Sequence, residues 1–269
     1  MIEKCITIET EKSAYLHRLM GVLIDFFKDK NGIATDFSDD GMFYILTACE
    51  KEHLRELELI VANELCEVFV NEYKEAFFHE YVRFGNINIV LKKALLRALV
   101  CFDQNTDRQF VLSLDFTLPT INVFSYFMFR TQEMVERWRA IVKLTNENAQ
   151  SLIKTSSHLE LLKYLLKSNQ SSTQELNVVL DYEITKLLDM DHNLLMEHTK
   201  TTNTAFSSIL STIVSISPQK IKVFANVHSN KLLRLLKRIF DERIDVLPLS
   251  SLKLSDASSP YPCQNSVSE

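Results

Sequence analysis

Glycine is scarce in this chain, and that scarcity limits its folds and its chemistry more than any other feature. The 269 residues contain 4 glycines, where average usage of about 7% predicts roughly 19. They stand far apart, at Gly21, Gly32, Gly41 and Gly85. Phosphate-cradling loops and dinucleotide fingerprints need closely spaced glycines, because their backbone amides must approach the ligand. The sequence therefore argues against such sites and favours long helices.

Composition and charge otherwise describe an ordinary globular chain. Hydrophobic residues make up 46% and charged residues 24% of it, which is enough apolar material for one large domain or two modest ones. The formal net charge of -5 gives no overall attraction to nucleic acid or anionic lipid. Either partner would therefore need a local basic patch.

The cysteines predict reduced thiols and no metal site. There are 5 of them, widely spaced and mostly within apolar stretches, and no CxxC pair occurs. A structural zinc site needs clustered Cys or His ligands, and no histidine stands at such a spacing from a cysteine. We therefore predict buried, reduced cysteines in a cytosolic protein. We also predict no metal and no cofactor, with Cys263 an exposed thiol near the C-terminus.

No segment predicts export or a membrane span. The first ten residues, MIEKCITIET, lack the apolar stretch of a signal peptide. The run from Phe110 to Phe129 is largely apolar, but Asp115 interrupts it, and an Asp in mid-bilayer costs about 2.5 to 3.5 kcal/mol. We predict a buried loop and a helix start there. The uncharged run from Thr204 to Ser217 is shorter than the roughly 20 residues of a span. We expect a cytoplasmic protein with no transmembrane segment.

Hydrophobic periodicity predicts an α+β protein that is predominantly α-helical and begins with a small β-α-β-β unit. A strand at residues 5–8 precedes an amphipathic helix. Strands at 33–37 and 42–48 then flank Ser38-Asp39-Asp40-Gly41, a sequence typical of a hairpin loop. We assign this unit to residues 1–50.

Helices dominate the middle of the chain, which we assign to residues 51–168. Apolar residues every four positions predict one helical core face of about six turns. These residues are Leu57, Val61, Leu65, Phe69, Tyr73 and Phe77. Further helices are predicted at 88–102, at 122–143 and within 146–168. The polar stretch Ser-Asn-Gln-Ser-Ser-Thr, residues 168–173, marks a boundary.

The C-terminal part, residues 173–249, is predicted to be an α/β unit. Alternating patterns predict strands at 176–182, 184–188, 221–227 and 244–249, with helices at 206–216 and 232–240. Residues 250–269 contain seven serines and two prolines. Because such a composition cannot bury enough apolar surface to order the chain, we predict a disordered Ser-rich tail.

Two clusters of acidic and histidine residues have simpler explanations than catalysis. Glu75 and His79 stand four residues apart on a helix, as two metal ligands do, but a helix ion pair or hydrogen bond explains them as well. Asp189, Asp191 and His192 have the residue types of an acid/base cluster, yet Asp commonly bonds its own backbone at a turn. The chain has neither a GxSxG nor a Cys/His signature, so we predict no enzyme and no catalytic residues.

One surface is a candidate for partner binding. The last predicted helix carries Lys231, Arg234, Lys237 and Arg238 beside an apolar stripe; we call these four residues the basic helix face. Such helices dock on acidic proteins, anionic lipid or phosphate backbones, although the solvated outer face of a core helix has the same pattern. The aromatic run from Tyr126 to Phe129 is instead expected to be core, because apolar runs at helical spacing usually pack inside.

Three segments resemble the YtxC-like sporulation proteins of endospore-forming bacteria. FSYFMFR, residues 124–130, is similar to the family's Phe-Arg helix. ILSTIVSISPQKIKV, residues 209–223, resembles its helix, Ser-Pro turn and strand, and LLKRIFDERIDV, residues 235–246, its closing helix and strand. The order and spacing of the three agree, and the resemblance covers residues 1 to about 249. The family's tyrosine soon after the Phe-Arg pair is absent here.

The resemblance implies a link to sporulation and no established activity. Our leading hypothesis is a non-catalytic cytoplasmic protein of endospore formation that binds another protein, whose identity the sequence does not give. One alternative is a nucleic-acid or membrane-surface binder that uses the basic helix face, and strong salt dependence of binding would favour it. The other is an unrecognised hydrolase, which a deep pocket with converging, pKa-shifted side chains would favour.

Overall fold

The protein consists of two compact units, each with one small sheet. A computed structural model describes residues 1–151, 155–169, 173–181, 184–199, 203–226 and 231–252. Unit 1 contains Met1–Ile87 and Leu95–His158, and unit 2 contains Asn88–Ala94 and the described residues from Leu159 onward. The protein is α+β and predominantly helical, which confirms the predicted fold class.

The described residues form helices and strands in the following order. The helices are α1 (His17–Phe27), α2 (Leu54–Glu67), α3 (Lys74–Tyr81), α4 (Ile89–Cys101), α5 (Gln104–Leu112), α6 (Val123–Arg130), α7 (Gln132–Ser151), α8 (Thr155–Ser168), α9 (Asn203–Ile216) and α10 (Lys231–Phe240). The strands are β1 (Ile2–Glu9), β2 (Gly32–Asp39), β3 (Met42–Cys49), β4 (Thr120–Asn122), β5 (Glu175–Leu180), β6 (Ile184–Leu188), β7 (Leu194–Thr199), β8 (Lys220–Ala225) and β9 (Ile244–Leu247).

The predicted β-α-β-β unit forms most of the unit 1 sheet, whose order is β2-β3-β1-β4. β2 and β3 form the predicted hairpin, and its turn residues Asp40 and Gly41 have φ values of 44° and 74°. Positive φ at both positions is what a two-residue type I′ turn requires, which explains the glycine. β4 pairs in parallel with β1. The sheet is therefore completed by a segment far beyond residue 50, the end of the first predicted range.

A buried lysine fixes the entry to β4. Lys4 is 2% exposed, and its ammonium donates to the carbonyl oxygens of Phe116 at 2.6 Å and Leu118 at 2.8 Å. Burial lowers the pKa of Lys4, while nearby acids, with Glu58 the largest, oppose that shift. These bonds hold the loop before β4 against β1, as buried charges require satisfied partners. The loop predicted between Phe110 and Phe129 is present here, but the prediction that it is buried is wrong for most of it, because only Phe116 of residues 113–119 is buried. It is preceded by α5, which the sequence analysis missed.

The long apolar helix of the middle region contains a π-helical segment, Val68–Tyr73, between α2 and α3. In an α-helix of 3.6 residues per turn, positions four apart drift by about 40° per step. The wider π turn, with bonds from residue i to i+5, offsets this drift. Leu57, Val61, Leu65 and Phe69 are all fully buried. Beyond Phe69, Tyr73 and Phe77 of the same repeat are half-buried. The repeat is therefore fully buried only up to Phe69.

Unit 2 is an α/β unit, as predicted, with the sheet order β7-β6-β5-β8-β9. β5, β6 and β7 are antiparallel, whereas β8 lies parallel to both β5 and β9. β7 was not predicted. One sheet face is buried and includes Leu176, Val178, Leu187, Ile221 and Val223. The opposite face carries the cross-strand ion pairs Lys186–Glu197 (3.1 Å), Lys222–Glu175 (2.7 Å) and Lys220–Asp245 (2.7 Å).

Two further predictions need correction or fall outside the structure. The helix predicted at 122–143 is two helices, because α6 ends at Arg130 and α7 begins after Thr131. At the break, the Thr131 hydroxyl donates to the carbonyl of Phe127 at 2.7 Å. Of the predicted tail, Leu249–Ser251 forms a short 3-10 turn, and residues 253–269 with Cys263 lie outside the described residues. Across the described ranges, no helix has both the length and the apolar character to cross a membrane.

Candidate functional site: an aromatic groove in unit 1

A surface groove of about 660 Å³ lies within unit 1, and we call it the aromatic groove. One wall belongs to the π-helical segment and α3, and it presents Tyr73, Ala76, Phe77, Glu80 and Tyr81. The other wall belongs to α6 and α7, and it presents Phe124, Phe127, Met128, Gln132, Val135, Glu136 and Arg139. Lys12 and Tyr15 line one end. The sequence analysis did not predict this site.

The first wall is one helical face, and the second combines α6 with one face of α7. On α7, positions 132, 135, 136 and 139 follow the spacing i, i+3, i+4, i+7, which places side chains on the same side. On α3 and the π-helical segment, positions 73, 76, 77, 80 and 81 follow a similar spacing. The groove is therefore a gap between two helical faces.

Aromatic packing forms the interior of the groove. The Tyr73 ring lies 4.5 Å from that of Phe127, 5.7 Å from that of Phe69 and 6.2 Å from that of Tyr15, centroid to centroid. Such spacings are typical of favourable aromatic pairs. The Tyr73 hydroxyl and the Glu9 Oε2 atom are both buried, and neither has a hydrogen-bond partner among the described residues. Burial, followed by the Glu9 charge, raises the pKa of Tyr73.

The aromatic segment of α6 is divided between core and surface. Tyr126 and Phe127 are buried, but Phe124 is 40%, Met128 49% and Phe129 76% exposed. The prediction that this run is core is therefore wrong for Met128 and Phe129. An eight-residue helix at the surface buries one side only.

Two polar contacts fix the orientation of α6. The Asn122 side chain caps the helix by accepting from the backbone N–H of Ser125 at 2.9 Å. The Tyr126 hydroxyl donates to the carbonyl of Asp115 at 2.6 Å, and burial raises the pKa of Tyr126 to about 12. With Tyr126 held inward, Phe124 and Met128 face the groove.

The rim of the groove carries more acids than bases. Its carboxylates are Glu72, Glu80 and Glu136, and its cations are Lys12 and Arg139. Arg139 pairs with Glu136, and a hydrogen bond to the Glu80 carboxylate raises the pKa of Tyr81. Glu72 is exposed and makes no ion pair with any described residue.

One lysine already lies against the aromatic rings. The Lys12 Nζ atom is 5.1 Å from the centroid of Phe124 and 6.0 Å from that of Tyr73. It also lies 3.5 Å from Glu9 Oε2. These distances are in the range of cation–π contacts, so this end of the groove is suited to a positive charge.

A buried polar cluster, formed by Lys74, Asp107, Arg137 and Trp138, ties the two walls together. The Lys74 ammonium donates to Asp107 Oδ2 at 2.7 Å and to the carbonyl of Phe102 at 2.7 Å. Asp107 also accepts from Trp138 Nε1 at 2.9 Å and from Arg137 at 3.1 Å. Burial lowers the pKa of Lys74, and Asp107 opposes that shift. Because these residues lie on α3, α5 and α7, the cluster sets the distance between the walls.

The basic helix face lies in unit 2 on α10. All four of its residues are exposed, while the apolar stripe beside them is buried. That stripe consists of Leu232, Leu233, Leu236, Ile239 and Phe240. The structure thus separates the charges from the core, and partner binding by this face stays a prediction.

The turn explanation holds for one of the two acid–histidine clusters, whereas the contact within the helix expected for Glu75 is replaced by a pair with Arg97 on α4. Glu75 pairs with Arg97 at 3.2 Å on unit 1, and His79 is exposed. In unit 2, Asp189 Oδ1 accepts from the backbone N–H groups of Asp191 at 2.9 Å and Asn193 at 2.8 Å. The second set is a turn, and the hydrogen bonds from Asn193 and Asp191 lower the pKa of Asp189.

Four cysteines and one group of metal-ligating side chains lie among the described residues. Cys49 and Cys66 are buried, Cys5 and Cys101 half-buried, and all four are free thiols. Burial raises the pKa of the Cys66 thiol to about 11, which makes it unreactive near neutral pH. Within the described ranges, Glu50, Glu52 and His53 bring ligand atoms within 4.8 Å of one another. An exposed acidic group of this kind is common without a metal.

Comparison with known proteins supports the resemblance seen in the sequence. The model of the YtxC-like family matches residues 114–245, which confirms the predicted resemblance for that segment. The match includes α6 and α7 and continues through unit 2 into β9. Residues 1–113, which hold the α3 wall of the groove, lie outside it. No curated protein and no solved structure matches the chain.

Proposed function

From the YtxC-like match of residues 114–245, we propose that this chain is a non-catalytic cytoplasmic protein of bacterial endospore formation that acts by binding another protein. The family resemblance supplies the link to sporulation. The aromatic groove is the observation that supports binding. It joins exposed Phe124 and Met128 to a lining of tyrosine and phenylalanine rings.

The chemistry of the groove is that of a protein interface. Aromatic residues and methionine are enriched in protein interfaces, whereas charged residues are depleted at the centre of an interface. Methionine also adapts to irregular apolar partners. Covering apolar surface stabilises a complex by about 25 cal/mol per Å² before the costs of association. The groove, with Phe124 and Met128 exposed in its lining, is therefore a favourable contact area.

The test is genetic and uses an endospore-forming bacterium that carries this gene. The gene is deleted and restored as wild type, as Met128→Glu or as Leu59→Glu. Met128 lines the groove, whereas Leu59 is a comparably exposed apolar residue on α2 away from it. We expect deletion and Met128→Glu to lower the number of heat-resistant spores, and Leu59→Glu to leave it unchanged. Melting temperatures of the purified variants serve as the folding control.

Two results count against the proposal. Normal spore numbers after deletion would remove the sporulation link. A loss after deletion that both variants restore equally would show that the groove is not the binding surface.

A second candidate function is supported by the exposure of the basic helix face. Four cations within about two helical turns attract polyanions such as a nucleic-acid backbone. Fluorescence anisotropy with labelled duplex DNA tests this function. Its expected signature is binding that weakens steeply between about 50 and 200 mM salt and is lost after charge reversal of the face. Absence of binding at low salt would eliminate it.

A further inference from the structure

We infer that the aromatic groove receives an amphipathic helix of a partner protein, with a lysine or arginine of that helix beside Glu72. This inference rests on the proposed function, since it specifies what the groove binds. Three observations carry it: the helical geometry of both walls, the apolar lining, and the unpaired carboxylate at the rim.

The geometry of the walls favours a helix as the occupant. Two neighbouring helical faces create the ridges and grooves into which a third helix packs. From Tyr73 to Tyr81 one wall spans eight residues, or about 12 Å at 1.5 Å per residue. That length matches about two turns of a partner helix, which would insert apolar side chains at i, i+3 or i+4, and i+7.

The charges favour a basic flank on that helix. Arg139 is already paired with Glu136, and Lys12 lies near Glu9. Glu72 has no cationic partner among the described residues. Glu72 and the ring of Tyr15 both line the groove, and the Glu72 charge adds to burial in raising the pKa of Tyr15. A cation beside Glu72 would therefore meet a carboxylate and an aromatic ring together.

The same charges select against an acidic helix. An acidic flank would place carboxylates near Glu72, Glu80 and Glu136 without a free counterion. Like charges across an interface oppose association and so provide specificity. The groove is thus expected to distinguish partners by charge as well as by shape.

The experiment uses two labelled designed peptides of about 18 residues, long enough to form helix on binding. Both have the same leucine stripe, and one has lysines where the other has glutamates along the flank. Anisotropy titrations with the full-length protein should show at least tenfold tighter binding of the basic peptide. Glu72→Lys should weaken binding of the basic peptide and strengthen binding of the acidic peptide.

A matched pair of variants locates the binding site. Ala76 is an exposed residue that lines the groove, and Ala140 is an exposed residue on α7 that does not. Ala76→Trp fills the groove and should abolish peptide binding, while Ala140→Trp should leave it unchanged. Since both positions are at the surface, neither tryptophan needs to open the core.

Several results would overturn the inference. Equal affinity for both peptides would exclude charge selection, and undiminished binding by Ala76→Trp would exclude the groove. Sedimentation could reveal a dimer that Ala76→Trp dissociates, in which case a second copy of the chain is the occupant. Tighter peptide binding after removal of residues 253–269 would show that the chain's own C-terminus occupies the groove.

The outcomes separate this inference from the proposed function. If neither peptide binds but Met128→Glu still lowers spore numbers, protein binding in sporulation stands and the helical occupant is wrong. If the basic peptide binds in the groove while deletion leaves spore numbers unchanged, the sporulation link is wrong and the helix site stands.

Discussion

The buried pair formed by Lys74 and Asp107 offers the sharpest test of how unit 1 is held together. Both side chains are almost fully buried and meet at 2.7 Å. Removing one charge leaves the other without its main partner in a medium that solvates charge poorly. Changes of this kind cost about 3 to 5 kcal/mol of unfolding free energy. We expect that cost for Lys74→Met and for Asp107→Leu separately.

The double variant should cost less than either single variant. With both charges gone, the remaining losses are the hydrogen bonds to the carbonyl of Phe102 and from the indole N–H of Trp138. Each unsatisfied group costs about 1 kcal/mol, so the double variant should lose about 2 kcal/mol. Arg137 is partly exposed and can turn to solvent. The losses of unfolding free energy in the two single variants add up to at least about 6 kcal/mol. The difference between that sum and the loss in the double variant is the coupling energy, about 4 kcal/mol or more.

Urea denaturation followed by tryptophan fluorescence measures these values for unit 1 specifically. The chain has 1 tryptophan, and Trp138 is fully buried in that unit. Wild type, both singles and the double variant complete the cycle. Single losses below about 1 kcal/mol, or a double loss equal to their sum, would refute the view that this is a coupled buried pair.

Three further predictions concern packing and ionisation. Gly32→Ala places a Cβ 2.3 Å from the ring of Phe27 and should lower the free energy of unfolding by about 1 to 3 kcal/mol, measured by urea titration. Gly21→Ala has open space around it and should raise the free energy of unfolding by up to about 1 kcal/mol. Burial raises the pKa of Tyr126 from 10.0 to about 12, so its hydroxyl ionises at lower pH in the unfolded chain than in the folded protein. The free energy of unfolding should therefore fall between those two pH values. Tyr126→Phe, which has no hydroxyl to ionise, should lose less stability over that interval. Leu236→Ala should cost about 2 to 5 kcal/mol, whereas charge reversal of the basic helix face should barely change the melting temperature.

The sequence predicted those elements whose patterns are local. The hairpin followed from Asp40-Gly41, and β5, β6, β8, β9, α9 and α10 of unit 2 followed from their alternation and helical spacing, whereas β7 was missed. β4 was missed because its three residues have no periodicity and gain their strand partner from β1, more than a hundred positions away. The four-residue repeat from Leu57 to Phe77 did contain a signal of the π-helical segment. An unbroken α-helix would have carried that repeat around its surface by about 200° over five steps.

The groove was harder to predict because its walls come from distant parts of the chain. Tyr73 and Phe127 are in contact only after the π-helical segment and α6 pack together. No sequence pattern shows which side of an apolar helix such as α6 will remain exposed to solvent. The spacing of Gln132, Val135 and Arg139 on one helical face was present in the sequence, but a half-polar face reads as ordinary solvated surface.

The segment FSYFMFR connects the family resemblance to the groove through its two-sided packing. Tyr126 and Phe127 pack inward, where Phe127 contacts Tyr73 and Trp138. Phe124 and Met128, on the other side of the same short helix, remain exposed and line the groove. Exposed apolar side chains are common on protein surfaces, so the exposure of these two residues does not by itself indicate a partner. What distinguishes them is their position, because they lie within the family match and line the groove on which the proposed binding depends.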